Sequence, residues 1–203
     1  MKYKIAVSGA AETDHCAQEA KVKITQLGQE IVRQGAVLVT GATSGAPFWA
    51  AQGAKEQGGF SIGLSPAASL VSHVKSYRLP IDNFDLIIFT GFDYSGRNLL
   101  MTRSADAIVV CCGRMGTLNE FTIAFEDRKP IGILTGTGGI TDEIEHIIEK
   151  AHKGKGRVIY DSDPKVLVSK LIALIEEEQR AAFSGEAVPE IEAGKLEPLV
   201  KTE

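Results

Sequence analysis

The chain has 203 residues, 44% hydrophobic and 24% charged, enough to bury one core of ordinary domain size without requiring a second. A net charge of -4 leaves no broad basic surface to neutralise a nucleic-acid backbone, so nucleic acid is an unexpected partner, whereas a small anion held by local groups is compatible. No apolar run approaches the ~20 residues that span a bilayer, and three cysteines without zinc-site spacing argue against a disulfide framework; the sequence reads as cytoplasmic, with no membrane partner.

Short apolar runs rich in β-formers alternate with longer segments of helical spacing. The first strand is expected at 4–8. The helix at 17–33 follows, with Ala20, Ile24, Leu27 and Ile31 at helical intervals and Gln34-Gly35 as its stop. A strand at 36–40, a helix at 47–57 and a strand at 60–64 come next, then a connection at 67–80 without strong period. Beyond it lie a strand at 86–90, a helix at 96–105, a strand at 107–112 and a helix at 118–127. Thr117 and Glu120 have capping-box spacing at the start of that helix. The last pairs are strand 131–135 with helix 142–152, and strand 157–160 with helix 164–178, the latter announced by Asp163-Pro164. This rhythm predicts a doubly wound α/β fold: a parallel sheet between two helical layers, three layers in one domain over 1–179. Residues 180–203 are rich in Ser, Gly, Pro and Glu and read as a mobile tail, or as a strap docking on a partner subunit.

Ligands of open parallel sheets bind beyond the carboxyl ends of the strands. Four glycine-bearing loops fall there: Gly9-Ala10-Ala11, Gly41-Ala42-Thr43-Ser44-Gly45, residues 91–96, and Gly113-Arg114-Met115-Gly116-Thr117. Glycine lets backbone approach a ligand, and a following helix offers unpaired N–H groups to an anion, so the expected guest is a small nucleotide bound through phosphate. None of the loops has the P-loop pattern or the dinucleotide Gly-x-Gly-x-x-Gly context.

Arg97 is expected in the first turn of its helix, either facing an anion or reaching outward to solvent or Asp93. Glu120 has two readings, a capping-box carboxylate or a catalytic group beside the ligand's sugar. His15, His73, His146 and His152 have no metal-ligand spacing, so neither a metal site nor a cofactor is expected. Cys111 and Cys112 are expected to pack at the end of a buried strand, with Cys112 also placed for a lowered pKa beside the anion loop. Trp49 is placed either to stack on a base or to pack against the sheet.

The stretch Gly96-Arg97-Asn98-Leu99-Leu100-Met101-Thr102-Arg103-Ser104-Ala105-Asp106-Ala107, with Cys112-Gly113-Arg114-Met115-Gly116-Thr117-Leu118-Asn119-Glu120, resembles the LOG (lysine decarboxylase-like) family of the SLOG Rossmann-like nucleotide-binding superfamily. Gly41 to Gly45 looks like that family's second glycine loop, and the resemblance spans about residues 4–135. It implies a Rossmann-like domain, a homodimer or higher homo-oligomer, and a purine nucleoside 5′-monophosphate as ligand. The implied reaction is hydrolysis of the ligand's N-glycosidic bond, with Arg97 and Glu120 as the catalytic pair. Gly113, Gly116 and Thr117 would cradle phosphate; with the other loop residues Gly9, Gly41, Thr43, Ser44, Gly45, Arg114 and Met115 they make up the expected nucleotide- or phosphate-binding set. Cys112 stands where the family motif has proline, Arg114 where it has glycine, and Asn119 where it usually has an acid. A non-catalytic nucleotide or molybdenum-cofactor carrier is the alternative the superfamily offers.

Overall fold

The protein alternates strands and helices throughout, and its computed structural model describes residues 1–184. Seven strands, β1 (Lys4–Ser8), β2 (Val37–Thr40), β3 (Ser61–Ser65), β4 (Leu86–Phe89), β5 (Ala107–Val110), β6 (Ile131–Leu134) and β7 (Val158–Asp161), pair in parallel in the order β4-β3-β2-β1-β5-β6-β7. Among the described residues the α-helices are α1 (Ala20–Arg33), α2 (Ala46–Glu56), α3 (Asp93–Ser104), α4 (Met115–Glu126), α5 (Ile144–Ala151) and α6 (Pro164–Ser184). This is the doubly wound, Rossmann-like architecture expected from the alternation.

The central strands read as unbroken apolar runs because both faces are covered. Ile5 and Val7 of β1 point into one core with Ile24, Leu27 and Ile31 of α1, while Ala6 points into the other with Met101 of α3 and Phe121 of α4. Each fully buried side chain of Leu or Ile size contributes about 1.5–3 kcal/mol of transfer free energy. The helical spacing of α1 therefore fixes which of its faces docks.

Local boundaries differ from expectation in ways that matter for the site. α3 begins at Asp93, so the glycine loop expected at 91–96 shrinks to Gly91-Phe92 and Arg97 sits in the second turn. α4 begins at Met115, which puts Thr117 inside the helix. α6 continues to Ser184, so residues 180–184 are helix rather than tail, and the strap expectation for 185–203 lies outside the described residues. The 67–80 connection contains one π turn, Ser72–Ser76, pinned by buried His73 between Ser65 Oγ at 2.8 Å and the Pro80 carbonyl at 2.9 Å. Among the described residues no helix is long and apolar enough to cross a membrane.

From β1 the chain winds outward through β2 and β3 to β4, then returns to lay β5 on the other flank of β1. The connections after β1 and β5 thus depart in opposite directions and leave a crevice between the two strand ends.

Candidate functional site

A cleft of about 380 Å³ opens at that crevice. Its walls come from Ser8 to Glu12 after β1, Gly41 and Thr43 after β2, Tyr94, Arg97 and Asn98 of α3, and Arg114, Gly116, Thr117 and Glu120 around the start of α4.

The floor is a buried ion pair. Arg97 is 6% exposed and Glu120 5%, with Arg97 Nη1 3.3 Å from Glu120 Oε1. Ser8, the last residue of β1, donates its hydroxyl to Glu120 Oε2. With its amide nitrogen turned toward Glu120, Asn98 donates to Oε1 at 2.8 Å and to the Tyr94 carbonyl at 2.9 Å; the opposite orientation would set its oxygen against both acceptors. Burial pushes the Glu120 carboxyl above the ordinary glutamate range, against the pull of the Arg97 charge and the Ser8 hydrogen bond. Burial lowers Arg97 as well, but a guanidinium starts so high that it stays cationic at neutral pH. The exchangeable proton of the pair therefore belongs to Glu120.

Two strained segments place Arg97. A Cβ on Gly41 would overlap its guanidinium, so the glycine loop after β2 makes room for a protein cation. Ala42, next in the chain, and Asp93, the first residue of α3, hold φ of 53° and 52°, a left-handed conformation costing about 1–2 kcal/mol each for such residues. Among the described residues Arg97 Nε has no hydrogen-bond partner, and its Cζ lies 5.9 Å from the Tyr94 ring centroid. A buried donor left over in this way costs about 1–3 kcal/mol, which an anionic ligand would recover.

At the mouth the chemistry is looser. Arg114 is the N-cap of α4 and pairs with Glu12, their side chains 58% and 78% exposed. The first helical backbone bond of α4 runs from Leu118 N to the Arg114 carbonyl, leaving the amides of Met115, Gly116 and Thr117 ahead of the helical ladder. That is an anion-binding geometry, and Gly116 keeps the approach open because none of the described residues lies within 4 Å of where its Cβ would be.

Of the residues expected to bind ligand, the structure brings Gly9, Gly41, Thr43, Arg97, Arg114, Gly116, Thr117 and Glu120 to the cleft. Ser44, Gly45, Gly113 and Met115 do not line it. Ser44 is turned to the Ala11 carbonyl at 3.3 Å, Gly45 packs on the Ala10 and Ala11 carbonyls, Gly113 packs on the Thr117 side chain, and Met115 is 74% exposed. Glu120 makes no capping box, since its carboxylate is bonded to Ser8 and Arg97 instead. Arg97 reaches inward to Glu120 and not to Asp93, whose carboxylate accepts from the Tyr77 hydroxyl. Trp49 packs against the core of α1 and α2. Ser8, Asn98, Tyr94 and Glu12 were absent from the expected set. Only Ser8, ending β1 just before a glycine, and Asn98, beside Arg97, carried a local signal.

The cysteine expectation is corrected. Cys16 and Cys112 form a disulfide with Cα atoms 5.6 Å apart, so Cys112 is not a free thiol beside the anion loop. Sequence spacing could not disclose a pair 96 residues apart that meets only when the loops after β1 and β5 come together. Cys111 stays free and buried, its thiol pushed well up by burial and by the charge of Glu120.

A doubly wound parallel sheet with a charged cleft at its switch point places the protein in the Rossmann-like class. The chain belongs to the SLOG cluster4 family, whose model matches residues 2–168. It is 30% identical over 131 residues to an uncharacterized protein of Archaeoglobus fulgidus, covering 64% of this chain and 79% of the other. Among solved structures, it resembles the molybdenum cofactor binding protein of Rippkaea orientalis at 28% identity and a TM-score of 0.67, over 88% of this chain and 98% of that one. The molybdenum cofactor carrier protein of Chlamydomonas reinhardtii is similar at 26% identity and a TM-score of 0.68, over 87% and 99%.

Proposed function

We propose that the cleft binds a nucleoside 5′-monophosphate, phosphate toward the first turn of α4 and ribose over the Arg97–Glu120 floor, and that the protein hydrolyses its N-glycosidic bond. The observation that carries this reading is the buried Arg97–Glu120 pair at the switch point, beneath amides suited to phosphate. Water adds to C1′, the bond from C1′ to the base nitrogen breaks, and free base and ribose 5-phosphate leave. The positive charge developing on the ribose is stabilised by the Glu120 carboxylate, which also takes the proton of the attacking water; that proton ends on the nitrogen of the departing base. Ser8 and Asn98 hold that carboxylate in place, and Arg97 keeps its pKa from rising further.

A second reading, carriage of a phosphate-bearing cofactor without turnover, is favoured by the likeness to the two molybdenum cofactor proteins. Arg97, Arg114 and the α4 amides suit the anionic end of such a cargo equally well. Incubating the protein with a panel of nucleoside 5′-monophosphates, and following free base by chromatography and binding by thermal shift, separates the two. Base release by the parent that Glu120→Gln abolishes is the expected result. Saturable binding without release would replace hydrolysis by carriage.

The homodimer follows as a proposal from the sheet edge. Parallel sheets are ordinarily covered on both faces, yet Leu86 and Ile88 of edge strand β4 are exposed, close in sequence to exposed Phe92 at the start of α3. A second copy of this chain covers that surface in our reading. Sedimentation is expected to give a dimer or larger species, and a monomer at high concentration would remove the proposal.

A further inference from the structure

Outside the cleft, two of the loops that build it bring three metal-ligating side chains to one point. His15 and Cys16 come from the connection after β1 and Cys112 from the end of β5, and one ligand atom from each lies within 4.8 Å of the others. His15 Nε2 is 3.6 Å from Cys112 Sγ. Ordinary Zn–N and Zn–S bonds of about 2.0 and 2.3 Å at a tetrahedral angle place those atoms about 3.5 Å apart, close to the separation here. The surrounding backbone is tied independently of the sulfurs: Cys16 bridges to Gly138, Gly113 bridges to Gly139, and Ala17 N donates to the Thr137 carbonyl at 3.0 Å. Opening the disulfide therefore leaves the three ligands close together. Burial falls from Cys112, buried, through Cys16, half-buried, to exposed His15, so a fourth coordination position faces solvent.

We propose that the dithiol form of the protein binds one soft divalent cation of the Zn²⁺ class through His15 Nε2, Cys16 Sγ and Cys112 Sγ, the disulfide being the metal-free state of the same site. Three protein ligands with water in the fourth position is the arrangement of an open tetrahedral zinc site. Two electrons and two protons from an external dithiol reduce the Cys16–Cys112 bond to two thiols as that dithiol becomes a disulfide. The cation then displaces the two thiol protons to solvent and forms two metal–thiolate bonds. A disulfide sulfur offers no anionic lone pair of this kind, so the oxidised and metal-bound states exclude each other. Bound metal would join the loop after β1 to the loop that opens α4, as the disulfide does.

The test uses the full chain, reduced with a phosphine and shown by thiol titration after unfolding to carry all 3 free cysteines. Cobalt(II) is the probe. The expected result is one cobalt per chain with the visible absorption of tetrahedral coordination and a thiolate charge-transfer band, both lost on adding Zn²⁺ and absent from the disulfide form. Cys16→Ser abolishes the signal, and His15→Ala weakens binding by about tenfold or more. These two residues lie on the more exposed loop, so the test does not depend on a Cys112 variant folding. A reduced chain that gives no tetrahedral spectrum, or binds cobalt no better than Cys16→Ser, overturns the site. Neither outcome bears on nucleotide binding, which is measured separately.

Discussion

The floor and the mouth of the cleft each hold one arginine and one glutamate, and they are opposite kinds of pair. Arg97 and Glu120 are almost wholly buried, and glycine, strained loop residues, Ser8 and Asn98 hold them in place. Arg114 and Glu12 meet in solvent, their side chains more than half exposed. Desolvating two charges costs several kcal/mol per ion, so the floor pair is weakly justified as a stabiliser, and in the proposed reading it is chemistry kept ready. The mouth pair costs little to form or break and can exchange its partner for a ligand.

Glu120→Gln should break the contrast most strongly. It keeps the shape of the floor while removing its exchangeable proton, so base release is expected to fall by about 10²–10⁴-fold with ligand affinity within a few-fold of the parent. The same variant sharpens the electrostatic account. Because the folded state raises the Glu120 pKa, it holds that proton longer than the unfolded chain does. The associated stability is complete below the unfolded value and is lost as pH rises through the folded one. Glu120→Gln cannot ionise, so its melting temperature minus that of the parent should grow with pH above the ordinary glutamate range and then level. A gap that is flat above that range, and instead shrinks as pH rises toward it from below, would mean that the Arg97 charge outweighs burial.

Gly41→Ala comes next in size. Its methyl group must displace the Arg97 guanidinium, and overpacking of this kind costs about 1–3 kcal/mol. Thermal unfolding should show the loss, together with weaker nucleotide binding. Unchanged stability and binding would mean that Arg97 has a second low-energy position, and the floor would then be less fixed than the structure indicates.

The layered fold and eight residues of this cleft were legible in the sequence for physical reasons. Unbroken apolar runs mark strands covered on both faces, and α1 announced its docked face through Ala20, Ile24, Leu27 and Ile31. The glycine loops marked the edge of the sheet at which the cleft opens, but what each glycine faces was hidden. Gly41 admits Arg97 where Gly113 packs against Thr117, and spacing alone cannot distinguish a glycine that faces a ligand from one that faces a side chain. Glu120 kept its capping-box spacing while the helix began two residues before Thr117, which freed the carboxylate for Ser8 and Arg97. Ser8–Glu120 and Cys16–Cys112 join positions about a hundred residues apart, a separation that local pattern does not register.

At the mouth the expected effects are smaller. Arg114→Ala removes an exposed pair worth at most about 1 kcal/mol, so its melting temperature should stay close to the parent's while nucleotide affinity falls. Glu12→Gln is the most delicate test, because it leaves Arg114 in place and removes only its competitor for a ligand phosphate. If the two anions compete, affinity should rise, by no more than about fivefold given the small worth of the exposed pair, and the gain should fade with added salt as both contacts are screened. A loss of affinity would instead assign Glu12 a direct contact with the ligand, and the mouth would become a second fixed recognition element like the floor.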